Sequence, residues 1–240
     1  MIKAIVTGHS RGLGAAIAGR LLAQGIPVLG LARRGNAALA GRIGQVTLDL
    51  ADGDALADWL ESGALDTFAA DADPLLLINN AGLLAPVGAL AAQPAAAIAQ
   101  SVACNVAAPL MLAAAAARST AGRAELRVLH ISSGAGRNAI SGWSVYGATK
   151  AALDHHARAV AADNAAGIRI CSIAPGVIDT DMQAQIRATP LENFPLRGKF
   201  ETLKESGSLV TPEACAAGLV DYLLSAGFGA SPVADLRELG

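Results

Sequence analysis

Tyr146 and Lys150 stand four residues apart, a separation that places two side chains on one face of a helix, and Ser133 precedes the tyrosine by thirteen residues. A free phenol, with a pKa of about 10, does little proton chemistry near neutrality. An ammonium beside it favours the phenolate and brings the group toward a working range. A serine hydroxyl at the mouth of a strand can donate to a substrate oxygen, although it can equally close a turn. A second constellation opens the chain: the apolar run Ile2 to Val6, then Thr7-Gly8-His9-Ser10-Arg11-Gly12-Leu13-Gly14, then an apolar-periodic segment from Ala15. This reads as a strand, a turn too tight for side chains, and a helix whose first N–H groups point back into the turn. Such a place holds an anion. At Gly8, Gly12 and Gly14 a Cβ would forbid the dihedrals or keep a phosphate from the backbone.

These groups need elements to position them, and the chain supplies strands and helices in alternation. A helix over 15–24 ends at Gly25 and leads to a buried strand over 26–31 that runs into Ala32-Arg33-Arg34; a third strand over 45–48 delivers Asp49. After a helix over 54–70, Leu75-Leu76-Leu77-Ile78 is apolar without alternation, the mark of a strand covered on both faces in a parallel sheet. It ends in Asn79-Asn80-Ala81-Gly82. Helical sequence over 94–118 carries Asn105 among small apolar residues, where a buried amide either mends a backbone irregularity or holds a water. A fifth strand over 127–131 leads to Ser132-Ser133-Gly134, a helix begins close to Tyr146, and a sixth strand over 168–173 ends at Ala174-Pro175-Gly176. Residues 180–210, rich in charge and proline, form a flap over the site. Thr211-Pro212-Glu213 caps a helix to about 224, and 232–236 is a short edge strand. The pattern gives a single α/β domain over 1–240: a doubly wound parallel sheet with helices on both faces and its ligands at the strands' carboxyl ends.

Composition limits the function classes. A formal charge of -2 leaves no basic excess, which argues against nucleic acid or an anionic membrane as partner. The chain is 53% hydrophobic, yet its alanine-rich stretches are broken by Asp, Arg, Asn, Gln or Pro before reaching spanning length. The N-terminus enters a strand at once, without the basic start of a secretory signal, which fits a cytoplasmic protein. Cys104, Cys171 and Cys215 have no metal-like spacing and read as reduced, partly buried thiols; no metal is expected.

With these motifs in place, the chain resembles the short-chain dehydrogenase/reductase family over nearly its whole length. The nucleotide motif of that family is matched by Thr7 to Gly14, its structural motif by Asn79 to Gly82, and its active-site motif by Tyr146-Gly147-Ala148-Thr149-Lys150, with Asn105, Ser133 and Pro175-Gly176 at the places the pattern expects. The resemblance implies a Rossmann-type fold and a ketone-reducing oxidoreductase. In that role Ser133 would bond the substrate carbonyl, Tyr146 would protonate it, Lys150 would lower the tyrosine's pKa and hold the nicotinamide ribose, and Asn105 would hold a water in the relay. The cofactor would lie along Gly8, Ser10, Arg11, Gly12, Leu13 and Gly14. Asp49 and Leu50 would meet the adenine, Asn80, Ala81 and Gly82 the adenosine side, and Pro175, Gly176, Val177 and Thr180 the carboxamide and pyrophosphate.

By family spacing, the place where an NAD-specific site carries a carboxylate is Ala32, followed by Arg33 and Arg34, with Arg11 within reach. Guanidinium groups suit a 2′-phosphate, so NADP(H) is the expected cofactor. The sequence from Pro175 to Gln183 and from Phe200 to Leu209 resembles the sepiapterin reductase branch and the benzil reductases similar to it, which implies a small-molecule substrate with adjacent carbonyls. Asp235 falls near the place of a substrate-anchoring aspartate in that branch, or is an ordinary edge-strand carboxylate. Met182, Ile186, Leu191, Phe194 and Leu196 either line a substrate pocket or form the flap's own core, and Trp143 is expected to touch substrate. The alternatives are a 3-oxoacyl or hydroxysteroid-type reductase, and a nucleotide-binding redox sensor. The alanine-rich faces of 94–118 and 147–166 suit a homodimer or homotetramer of the kind the family forms.

Overall fold

The computed structural model describes residues 1–239. Seven parallel strands form one sheet: β1 (Lys3–Thr7), β2 (Val28–Ala32), β3 (Gly44–Thr47), β4 (Leu75–Asn79), β5 (Leu126–Ile131), β6 (Ile168–Ala174) and β7 (Val233–Asp235), in the spatial order β3-β2-β1-β4-β5-β6-β7. The strand order reverses between β1 and β4, and the crevice above that point is where such sheets take ligands. Leu75 to Ile78 are each fully buried, as a run without alternation requires. Period-two alternation then sorts the strand residues between two layers. Ala4, Val6, Leu76 and Ile78 pack on one side with helices α1 (Gly12–Ala23) and α9 (Pro212–Leu224); Ile5, Leu75 and Leu77 pack on the other.

That second layer holds α2 (Gly53–Glu61), α3 (Ala64–Ala69), α4 (Ala95–Val102), α5 (Ala108–Thr120) and α6 (Ser144–Ala162). The helix expected over 54–70 is two, because Gly63 adopts φ 75 between α2 and α3. Between α4 and α5 lies a π turn, Ala103–Ala107, with Asn105 at its centre and fully buried. Together α4, the turn and α5 make a continuous helix of 26 residues, which by length and composition alone could cross a membrane, contrary to the expectation that no stretch would be long enough. Here Ala108, Leu112 and Ala116 lie in the core with the sheet. The flap consists of α7 (Asp181–Ala188) and α8 (Arg197–Glu205), joined by an irregular stretch. Thr211 caps α9 as expected, its hydroxyl accepting from the Ala214 N–H at 3.2 Å. All three cysteines are free and buried.

Candidate active site

The turn after β1 is shaped by contacts to the end of β4. Thr7 Oγ1 accepts from the Asn80 and Ala81 N–H groups at 2.9 and 3.0 Å, and the Asn80 amide donates to the Thr7 carbonyl at 2.9 Å. The turn and β4 therefore lie so close that a Cβ on Gly14 would come within 2.2 Å of the Gly8 carbonyl oxygen. Helix α1 begins at Gly12 with no side-chain cap, earlier than the sequence suggested, so its first N–H groups face the ligand crevice. These free donors at the strand-order reversal fit a dinucleotide's phosphates. Arg33 and Arg34, just beyond β2, have no carboxylate within ion-pair distance among the described residues, which fits a further phosphate.

His9, within the glycine-rich turn, is fully buried. Its Nε2–H donates to Gln45 Oε1 at 2.9 Å, and the same oxygen accepts the Asn36 N–H at 2.7 Å. The ring occupies the space above Gly30, where a Cβ would sit 2.4 Å from the His9 Cγ. Arg11 does not stand free beside the ribose end. Its Nη1 donates to Asp181 Oδ2 at 2.7 Å, joining the glycine-rich turn to the flap.

One cleft of about 1660 Å³ gathers the expected residues. Its cofactor end is lined by Gly8, Ser10 to Gly14, Arg33, Arg34, Asp49, Leu50 and Asn80 to Gly82, and its centre by Ser133, Tyr146, Lys150, Pro175 to Val177 and Thr180. The volume exceeds the several hundred Å³ of an ordinary small-ligand pocket and suits a dinucleotide with a substrate beside it. Asn105 is the exception. Its Oδ1 accepts the Leu83 N–H at 2.7 Å, and its Nδ2 donates to the Leu83 carbonyl at 2.8 Å and to Thr149 Oγ1 at 3.1 Å. With both ends of the amide engaged, the side chain ties the π turn to the loop after β4. Asn105 is a positioning residue here.

Tyr146 and Lys150 are both buried on the same face of α6, with the Lys150 Nζ 5.6 Å from the centre of the tyrosine ring. Burial raises the Tyr146 pKa above its ordinary value, and the Ser133 hydroxyl pulls it the other way. The Lys150 ammonium donates to the Ile131 carbonyl at 2.8 Å. Burial brings Lys150 down to about 8, opposed by Cys104 and Asp154. A raised pKa makes Tyr146 a weaker acid than a free phenol, so proton transfer from it depends on a group that stabilises the phenolate. Ser133 faces it in extended backbone at the start of a tight turn, its Oγ accepting the Ala135 N–H at 3.2 Å.

At the far end, Trp143 stacks on Phe194 with ring centres 4.8 Å apart and meets Tyr146 edge-on at 5.4 Å. Met182, Ile186 and Leu196 line the cleft; Phe194 lies wholly inside the flap's core, and Leu191 is exposed. Asp235 does not line the cleft. Its carboxylate accepts from the Arg237 N–H, Nε and Nη2 at 3.1, 2.8 and 2.6 Å. Arg187, Lys199 and Arg237, which no motif marks, also line the cleft, as does Gln183. In sequence, charged positions within an irregular stretch look like any solvated face.

The family model for short chain dehydrogenases matches residues 3–191. A benzil reductase ((S)-benzoin forming) of Bacillus cereus is 34% identical over 245 residues, covering 98% of each chain. A sepiapterin reductase of Meriones unguiculatus is 33% identical over 91% of this chain and 90% of its own. Among solved structures, a short-chain dehydrogenase/reductase from Burkholderia vietnamiensis is 48% identical, with a TM-score of 0.72, over 100% of this chain and 98% of that one.

Proposed function

The chain belongs to the short-chain dehydrogenase family of nicotinamide-dependent oxidoreductases, and from that premise we propose that it reduces α-diketones to hydroxyketones with NADPH. The reading is carried by the buried Tyr146 beside Ser133 and Lys150 at the centre of a cleft whose cofactor end carries the unpaired Arg33 and Arg34. NADPH, when bound, supplies the hydride. Arg33 and Arg34 would hold its 2′-phosphate, the α1 N-terminus its pyrophosphate, and Lys150 its nicotinamide ribose. Ser133 donates from Oγ to the substrate carbonyl oxygen and fixes its position. Tyr146 gives its phenolic proton to that oxygen as negative charge develops there. Lys150, positively charged below its pKa of about 8, then stabilises the phenolate left behind. Trp143 and the flap keep water from the reacting carbon.

The chemistry of a second carbonyl supports the diketone reading, since an adjacent electron-withdrawing group makes the reacting carbon more electrophilic. The similarity to benzil and sepiapterin reductases points the same way. The test follows NADPH oxidation against benzil, 1-phenyl-1,2-propanedione, sepiapterin and an acetoacetyl thioester. Turnover of the diketones is expected, with a loss of about a thousandfold or more in Tyr146→Phe. Turnover of the thioester alone would replace this reading with a 3-oxoacyl reductase.

A further inference from the structure

Resting on the carbonyl-reductase reading, we propose that the flap carries an anion subsite built on Arg187 and Lys199, so that the preferred substrates bear a carboxylate or similar anionic group besides the ketone. Both residues line the substrate end of the cleft, one from α7 and one from α8. The two carboxylates that line the flap side of the cleft, Asp179 and Asp181, already have partners, as does Asp235 beside it. Asp179 pairs with Lys204 at 2.6 Å, Asp181 with Arg11 at 2.7 Å, and Asp235 with Arg237 at 2.6 Å. Arg187 and Lys199 have none within 4.0 Å among the described residues.

Unmet polar atoms gather at the same place. The Arg187 Nη1, the Trp143 Nε1 and the Gln183 Oε1 are buried without a hydrogen-bond partner, and all three residues line the cleft. Two of these atoms are N–H donors, and a buried donor without an acceptor is unfavourable until one arrives. An oxyanion answers both the unpaired charge and the donors, whereas a neutral aryl ring answers neither. Guanidinium and carboxylate match in shape, so Arg187 would make the directional contact and Lys199 would add a mobile charge.

The experiment compares benzil carrying a ring carboxylate with its methyl ester, using unsubstituted benzil as reference. Wild-type KM for the acid is expected to lie about tenfold below that for the ester. Arg187→Gln and Lys199→Gln should each remove most of that difference, raising KM for the acid while leaving the ester and kcat unchanged. Calorimetric titration of both compounds into NADP⁺-loaded Tyr146→Phe protein, with and without Arg187→Gln, reads the same preference without turnover. Equal affinity for acid and ester, or a loss common to both in the variants, would overturn the anion subsite. Failure to reduce any of the three while the acid still binds preferentially would overturn the diketone reading and leave the subsite standing.

Discussion

Arg33 bears on cofactor choice through charge alone. An aspartate there would accept bonds from a ribose 2′-hydroxyl and repel a 2′-phosphate. Arg33→Asp is therefore expected to raise KM for NADPH by about tenfold or more while leaving that for NADH unchanged or lower. Steady-state kinetics with each cofactor would check this, and equal changes would remove Arg33 from the phosphate site. A second residue with measurable charge behaviour is His130 in β5. Its Nδ1 faces the Asn79 amide at 3.2 Å and its Nε2 faces His156 Nδ1 at 3.0 Å. Burial, with smaller contributions from His156 and Lys150, lowers its pKa from 6.5 to about 3. The unfolded chain thus takes up a proton near pH 6.5 that the native protein refuses until about 3. Stability from this group is complete above 6.5 and declines as pH falls toward 3. Denaturant unfolding at pH 7 and pH 5 should show a loss of about 2 kcal/mol from this residue. His130→Asn should flatten the decline, and an unchanged slope would exclude it as the source.

The elements illustrate what a sequence discloses and what it withholds. The glycine-rich turn, the strand Leu75 to Ile78 and the α6 face bearing Tyr146 and Lys150 are legible, since each follows from local periodicity or from a conformation only glycine permits. The burial of His9 is not, because it depends on the absence of a side chain at Gly30, twenty-one positions away. Gly30→Ala would push a methyl group into the imidazole, with an expected cost of about 1–3 kcal/mol in chemical denaturation. His9→Ala should recover part of it in the double variant, a coupling that independent sites would not show. The Asn105 clamp on Leu83 was not legible, because the Leu83 backbone reaches it from another segment. The Lys150 contact to Ile131 and the Arg11 pair with Asp181 were illegible for a related reason. A long flexible cation has several acceptors within reach, and spacing along the chain does not rank them.

At the scale of the molecule, the continuous helix over 95–120 turns one stripe to the sheet and another outward. Val102 is 43% exposed, and Ala95, Ala99 and Ala114 are exposed with it. We propose that this stripe and α6 pair with a second copy of the chain, since small residues let helices approach closely. Light scattering on eluting protein is expected to give a dimer or tetramer at micromolar concentration. Val102→Glu should shift it toward monomer, and a wild-type monomer would refute the pairing. The packing of α1 on α9 has a different kind of consequence, one of timing. Leu13, Ile17 and Leu21 share a cluster with Ala4, Val6 and Leu76 of the sheet and with Cys215, Leu219 and Leu223, so the cover of the first helix is completed only by almost the last. During synthesis from the N-terminus, β1, α1 and β2 emerge early, but their outer layer cannot close until translation is nearly complete. The nascent chain must therefore spend most of its time on the ribosome with part of that surface bare, so a pause late in translation would be more hazardous to this protein than a fast finish.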